Sequence, residues 1–98
     1  MPRQGEVIQE SRVEYDMDDS LRRSGDHDQI LAQFGDSLRT RRLAAGLTQE
    51  RLAAVSGLDR SYVGSVERGE RNISLINLCK LAQALGLTPS TLLERQGG

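Results

Sequence analysis

The stretch Thr48–Gly69, TQERLAAVSGLDRSYVGSVERG, decides the fold. It holds two short apolar-patterned segments with a glycine-containing break between them. Leu52, Ala53 and Val55 lie in the first, Gly57 and Leu58 form the break, and Val63 and Val66 lie in the second. Ala53 offers the closest contact a helix can make, because a larger side chain would push a crossing helix away. Gly57 follows where the first helix must stop, in a left-handed conformation that only glycine enters without steric cost. Asp59 is then placed to cap the next helix by accepting from first-turn N–H groups. Val63 and Val66 share the face that turns back onto Ala53. Two helices crossing steeply over so short a turn make a helix-turn-helix, whose second helix can lie in the major groove of DNA.

The whole chain has 98 residues, which makes at most one small domain. Its hydrophobic content of 37% suits a globular core, but Tyr15, Phe34 and Tyr62 are the only aromatics, so that core must be aliphatic. No apolar run approaches the roughly 18–20 residues of a membrane span. The N-terminus lacks the apolar region of a secretory signal, and the expected location is the cytoplasm. A single cysteine, Cys79, excludes an internal disulfide and any Cys-rich metal site, and His27 has no second His or Cys to join it. There is no nucleophile–base pair, Gly-rich phosphate loop or ligand cluster. The expectation is a binding protein and not an enzyme, with no cofactor, no metal and no small-molecule ligand.

Net charge is −1, which looks unpromising for a nucleic-acid binder until its distribution is read. Residues 1–28 hold eight acidic residues (Glu6, Glu10, Glu14, Asp16, Asp18, Asp19, Asp26, Asp28) against four arginines, a balance of −4. Residues 29–98 hold six acidic and nine basic residues, a balance of +3. Affinity for DNA therefore belongs to the second part alone. Residues 1–27 form an acidic N-terminal extension with little periodicity. Val13, Tyr15 and Met17 alternate with Glu14 and Asp16, which allows one short strand or an extended arm. The readings open for this extension are a disordered tail, a segment packed on its own domain or on a partner, and a cover for the basic face.

Residues 28–95 read as the folded domain. Asp26 or Asp28 caps a first helix running to about Ala45, with Ile30, Leu31, Phe34, Leu38 and Leu43 as its apolar stripe and Gly46 as terminator. Thr48 caps the second helix, Gln49 to Ser56; Asp59 caps the third, Arg60 to about Arg68, which Gly69 stops. Ser74 caps the fourth, about Leu75 to Leu85, with Leu75, Leu78, Leu81, Ala82 and Leu85 buried and Gly86 at its end. Thr88-Pro89 starts a fifth, since proline at the first helical position loses nothing. The expected fold is all-α, a five-helix domain behind the acidic extension.

These residues resemble a known family. Arg42, the Gly46-Leu47-Thr48-Gln49 run, Leu52-Ala53, Gly57, Val63, Glu67-Arg68-Gly69, Leu81-Ala82 and Leu85-Gly86 fall in register with the helix-turn-helix domain of phage-repressor and Cro-like (XRE-type) regulators. The likeness covers roughly Phe34 to Leu93. Leu58-Asp59-Arg60-Ser61-Tyr62-Val63, with Glu67-Arg68 and Arg71-Asn72, most resembles the controller proteins of restriction–modification systems. The resemblance implies a sequence-specific transcriptional regulator acting as a homodimer on palindromic double-stranded DNA sites. The acidic extension departs from those controllers, which are little more than the five-helix domain. A different reading is the antitoxin of a toxin–antitoxin pair, binding its own operator while the acidic segment folds on a basic toxin.

Individual roles follow from the third helix. Arg60 is placed for a bidentate contact to guanine, and Ser61 and Ser65 for base edges or phosphate. Gly64 would let helix and groove approach closely, and Tyr62 would either stack on sugar or a thymine methyl or pack toward the second helix. Thr48 and Gln49, at a helix N-terminus, suit a phosphate, and Arg39, Arg71 and Asn72 would flank the groove. By resemblance, Arg42 and Glu67 form a partly buried ion pair that holds the third helix. Ile76, Leu87, Leu92 and Leu93 exceed what one small core needs and are the expected dimer interface.

Overall fold

The computed structural model describes residues 24–94, and the readings made for residues 1–23 lie outside the described residues. Five helices follow one another: α1 Ser24–Ala44, α2 Gln49–Ser56, α3 Arg60–Glu67, α4 Leu75–Ala84 and α5 Pro89–Leu93. The core is aliphatic, built from Leu38, Leu52, Ala53, Val63, Val66, Leu78, Leu81, Ala82 and Leu92, with Phe34, Leu47, Leu58, Tyr62 and Ile73 packed around it. Every element contributes to that cluster, which is how helices too short to be stable alone are held.

The four joints between helices share one construction. Gly46, Gly57, Gly69 and Gly86 all take a left-handed φ, between 71° and 78°. The residue after each glycine donates its N–H to the carbonyl five residues back: Leu47 to Arg42, Leu58 to Ala53, Glu70 to Ser65 and Leu87 to Ala82. These bonds satisfy carbonyls the ending helix would strand. Starts are as regular. Thr48, Ser74 and Thr88 each accept from the N–H three residues on.

Three differences from the sequence reading stand out. α1 begins at Ser24, so Asp26 and Asp28 lie inside it and residues 24–27 belong to the helix and not to the extension. Acidic residues are as favourable in a first turn as at the cap, so their pattern places a start only to within a turn. In the stripe assigned to α1, Ile30 and Leu43 are exposed, and Leu75 of α4 is 71% exposed where a buried position was expected. Asp59 occupies the N-cap position of α3 with extended backbone but makes no side-chain cap bond.

Two glycines set how closely the layers approach. α1 crosses the C-terminal end of α3 at Gly35, where an added Cβ would run into the Glu67 carbonyl and stand 2.7 Å from the Val66 carbonyl oxygen. Gly69 sits against the Ala32 backbone, at 3.1 Å from its Cα for an added Cβ. Two residues past Gly35 on α1, buried Ser37 donates its hydroxyl to the Leu92 carbonyl at 2.8 Å, tying α5 in place. No helix among the described residues is long and apolar enough to cross a membrane.

Candidate nucleic-acid interface

α3 is divided lengthwise. Val63 and Val66 are fully inside the core, while Arg60 and Ser61 at its N-terminal end are exposed. Because Asp59 leaves the first-turn N–H groups without a side-chain acceptor, the exposed end offers donors from backbone and guanidinium together. Two residues assigned to this edge do not stand on it. Ser65 is buried, its hydroxyl donated to the Tyr62 carbonyl at 2.7 Å and accepting from Arg71 Nε at 3.2 Å. Gly64 is also buried, covered by the side chains of Gln49 and Arg68. Gly64, one turn past Arg60, keeps that side of the helix but lies under those two long side chains, whereas Ser65 is turned a further step of about 100° toward the body.

The inner end of α3 is held by charge. Arg42 donates from Nε to Glu67 Oε2 at 2.7 Å and from Nη2 to Oε1 at 3.1 Å, a bidentate pair. Its third group, Nη1, donates to the Leu47 carbonyl at 2.8 Å. Gln49 Nε2 adds a bond to Glu67 Oε1 at 2.9 Å. Both charged side chains are nearly inaccessible, 8% and 3%. A planar guanidinium facing a carboxylate is the geometry in which a buried pair offsets its desolvation best. One network thus joins α1, α2 and α3. Gln49, assigned to phosphate, lends its amide to this network, while Thr48 beside it is the exposed cap of α2.

A second cluster lies along the other flank. The Arg71 guanidinium sits 5.9 Å from the centroid of the Tyr62 ring, within cation–π range. The Tyr62 hydroxyl accepts from Asn77 Nδ2 at 3.1 Å. Tyr62 is half-buried against the core, with its hydroxyl reaching the start of α4. Further along, exposed Arg68 pairs with Glu70 at 3.0 Å. The hydrogen bond from Arg68 holds the Glu70 carboxyl below its ordinary range, and the same bond raises Arg68. Whatever stability this pair adds is present above the ordinary carboxylate pKa and is lost as pH falls through the depressed one. At full exposure that contribution is small. Arg39 and Asn72 are exposed, and Asn72 lines a shallow cavity with His27, Asp28, Ile30 and Leu31.

Of the residues assigned to a dimer interface, Leu92 is fully buried in its own core and has no surface to present. Neighbouring residues of a helix point about 100° apart, and of the two leucines of α5 it is Leu92 that takes the inner side. Leu93 is 57% exposed and Ile76 65%, and Leu87 is half-buried. Leu75 joins this exposed apolar surface, and Cys79, one turn on, is exposed as well. Sequence reasoning missed three contributors. Gly35 looks like any helical glycine until its facing carbonyls are seen. Leu75 looks like core. Asn77 carried a signal, as the one amide among Leu75, Ile76, Leu78 and Cys79 in the first half of α4.

Comparison with known proteins agrees with this geometry. Residues 38–92 match the model of a helix-turn-helix family (HTH_3). The control protein C.SmaI of Serratia marcescens is 49% identical over 64 residues, 65% of this chain and 76% of that protein. The control protein C.BamHI of Bacillus amyloliquefaciens is 44% identical over 62 residues, 62% of this chain and 76% of its own. The crystal structure of the restriction–modification controller protein C.AhdI from Aeromonas hydrophila superposes with a TM-score of 0.63 at 61% identity, covering 63% of this chain and 94% of that one. By a match that spans the core, both crossing helices and the network behind them, the chain belongs to the helix-turn-helix family, alongside the restriction–modification controllers.

Proposed function

We propose that this chain is a cytoplasmic, sequence-specific regulator of transcription of the restriction–modification controller kind, a homodimer that reads a palindromic duplex with α3. The observation that carries the reading is the division of α3: its inner half is clamped by Arg42, Gln49 and Glu67, and its outer end presents Arg60 and Ser61 unobstructed. Such an edge held proud of a rigid body suits the major groove, with Arg60 bidentate to guanine. Thr48, at the start of α2, and the exposed Arg39, Arg71 and Asn72 would hold phosphates to either side. Two copies joined through Ile76, Leu75 and Leu93 would present their α3 helices about 34 Å apart, one DNA turn.

Selection of bound duplexes from a random pool by the purified protein tests the reading. A symmetric motif with half-sites one turn apart is expected, and a pool without enrichment would sink it. Arg60→Ala should blur the guanine preference at one position of each half-site. Arg39→Ala should weaken all sequences alike and lower the salt slope by about one.

The pair between Arg68 and Glu70 supplies a further prediction. Glu70 draws on a cation beside the proposed phosphate contacts, and Arg71 also feels its charge. Glu70→Gln is expected to tighten binding to any duplex, by roughly two- to five-fold at low salt, the scale of an exposed ion pair. The salt dependence should steepen accordingly. Titrations at several salt concentrations check this, and an unchanged slope would mean that Arg68 stays clear of the backbone.

A further inference from the structure

The Tyr62 hydroxyl has one hydrogen-bonding partner among the described residues, and the polarity of that bond has a consequence. Asn77 Nδ2 is the donor and the phenolic oxygen the acceptor, at 3.1 Å. A phenol that accepts in this way keeps its own proton to give elsewhere. The ring cannot easily swing to choose another direction. Arg71 lies over its face and is itself fixed through Nε to Ser65 Oγ. The Ser65 hydroxyl in turn is donated to the Tyr62 carbonyl, closing the loop on α3 itself. Asn77 is anchored independently, its N–H bonded to the Ser74 cap at 3.1 Å in the first turn of α4. The amide therefore rests on one helix and aims a hydroxyl on another.

We propose that Asn77 is a specificity-positioning residue: by donating to Tyr62 Oη it directs the phenolic O–H outward, toward an acceptor on duplex DNA beside the bases met by Arg60. The inference rests on the reading of α3 as the DNA-reading helix and adds to it a residue that touches no base. Asn77 acts through Tyr62, so its whole effect on base preference passes through that hydroxyl.

A double-mutant cycle on the full-length protein tests it. The readouts are pool selection, affinity for the selected duplex and thermal unfolding of the free protein. Asn77→Ala should lower affinity for the selected site by roughly three- to ten-fold, the range of one hydrogen bond, and flatten base preference at the position flanking that of Arg60. Tyr62→Phe should do the same. In the Tyr62→Phe background, Asn77→Ala should then change neither affinity nor preference. Asn77→Asp is the sharper probe, because a carboxylate accepts where the amide donates and would draw the phenolic proton inward. It should therefore cost more than Asn77→Ala.

The outcomes separate cleanly. Independent, additive losses from the two positions would mean that Asn77 touches the backbone by itself, and the proposal fails. An Asn77→Asp protein that selects and binds as wild type would show that the phenol does not donate to DNA, with the same result. A lowered melting temperature with preference intact would leave Asn77 a merely structural residue, again against the proposal. If the wild type itself enriches nothing, the reading of α3 falls and this inference with it; enrichment by the wild type with an unmoved cycle overturns the inference alone.

Discussion

Replacement of Arg42 by methionine is expected to destabilise the domain by about 3–5 kcal/mol, the cost of stranding one member of a buried ion pair. Glu67 accepts from Arg42 twice and from Gln49 once, so Arg42→Met leaves a nearly inaccessible carboxylate with a single neutral donor. The Leu47 carbonyl loses its partner at the same time. A domain of this size has a total stability of roughly 5–10 kcal/mol, so the variant should be largely unfolded near body temperature. Urea unfolding at 25 °C measures the loss, and a change below about 1 kcal/mol would show that water solvates the pair. The double variant Arg42→Met, Glu67→Leu should recover most of the stability, since an apolar pair of similar volume has no charge to desolvate. Recovered stability need not restore DNA binding, because the bidentate geometry also fixes the angle of α3.

The second large effect comes from a single methyl group. In a solvent-facing helix, Gly→Ala stabilises by about 0.5–1 kcal/mol through helix propensity. Gly35→Ala should do the opposite, with a net loss of about 2 kcal/mol, because overpacking costs roughly 1–3 kcal/mol and here the obstruction is backbone. The new Cβ meets the carbonyls of Val66 and Glu67, so relief requires α3 to move away from α1, pulling Glu67 from Arg42. Gly64→Ala is the matched control. Its Cβ would meet Arg68 Nη1 at 3.2 Å and Gln49 Oε1 at 3.4 Å, the flexible ends of long side chains. That variant should be neutral or slightly more stable. Parallel melting curves and DNA titrations decide the matter, and equal behaviour of the two alanines would refute the assigned role of Gly35.

The contrast between these glycines shows where sequence reasoning stopped. Apart from the start of α1, helix limits, left-handed terminators and the Ser and Thr caps were legible, because each is set by a few consecutive residues. The meeting of Arg42 with Glu67 was reached by family resemblance; nothing local in the sequence places them 2.7 Å apart. What failed was rotation about a helix axis. Ser65 and Leu92 were assigned outward and Leu75 inward, each with a hydroxyl or an apolar side chain fitting either side. Short helices pack across two faces, and a helix of 5 to 10 residues holds too few turns for periodicity to choose between them. Asn77 escaped for a related reason, since its partner Tyr62 lies on another helix.

The repeated joint of a left-handed glycine and a bond reaching five residues back bears on how the molecule comes into being. Each corner is built from residues close in sequence, and among the described residues the hydrogen bond of greatest sequence separation, from Ser37 to Leu92, ties in only the last short helix. Chains organised this locally fold in microseconds to milliseconds. A newly synthesised copy should therefore reach its folded form almost at once, and folding of the described domain is not expected to set the pace of anything the protein does.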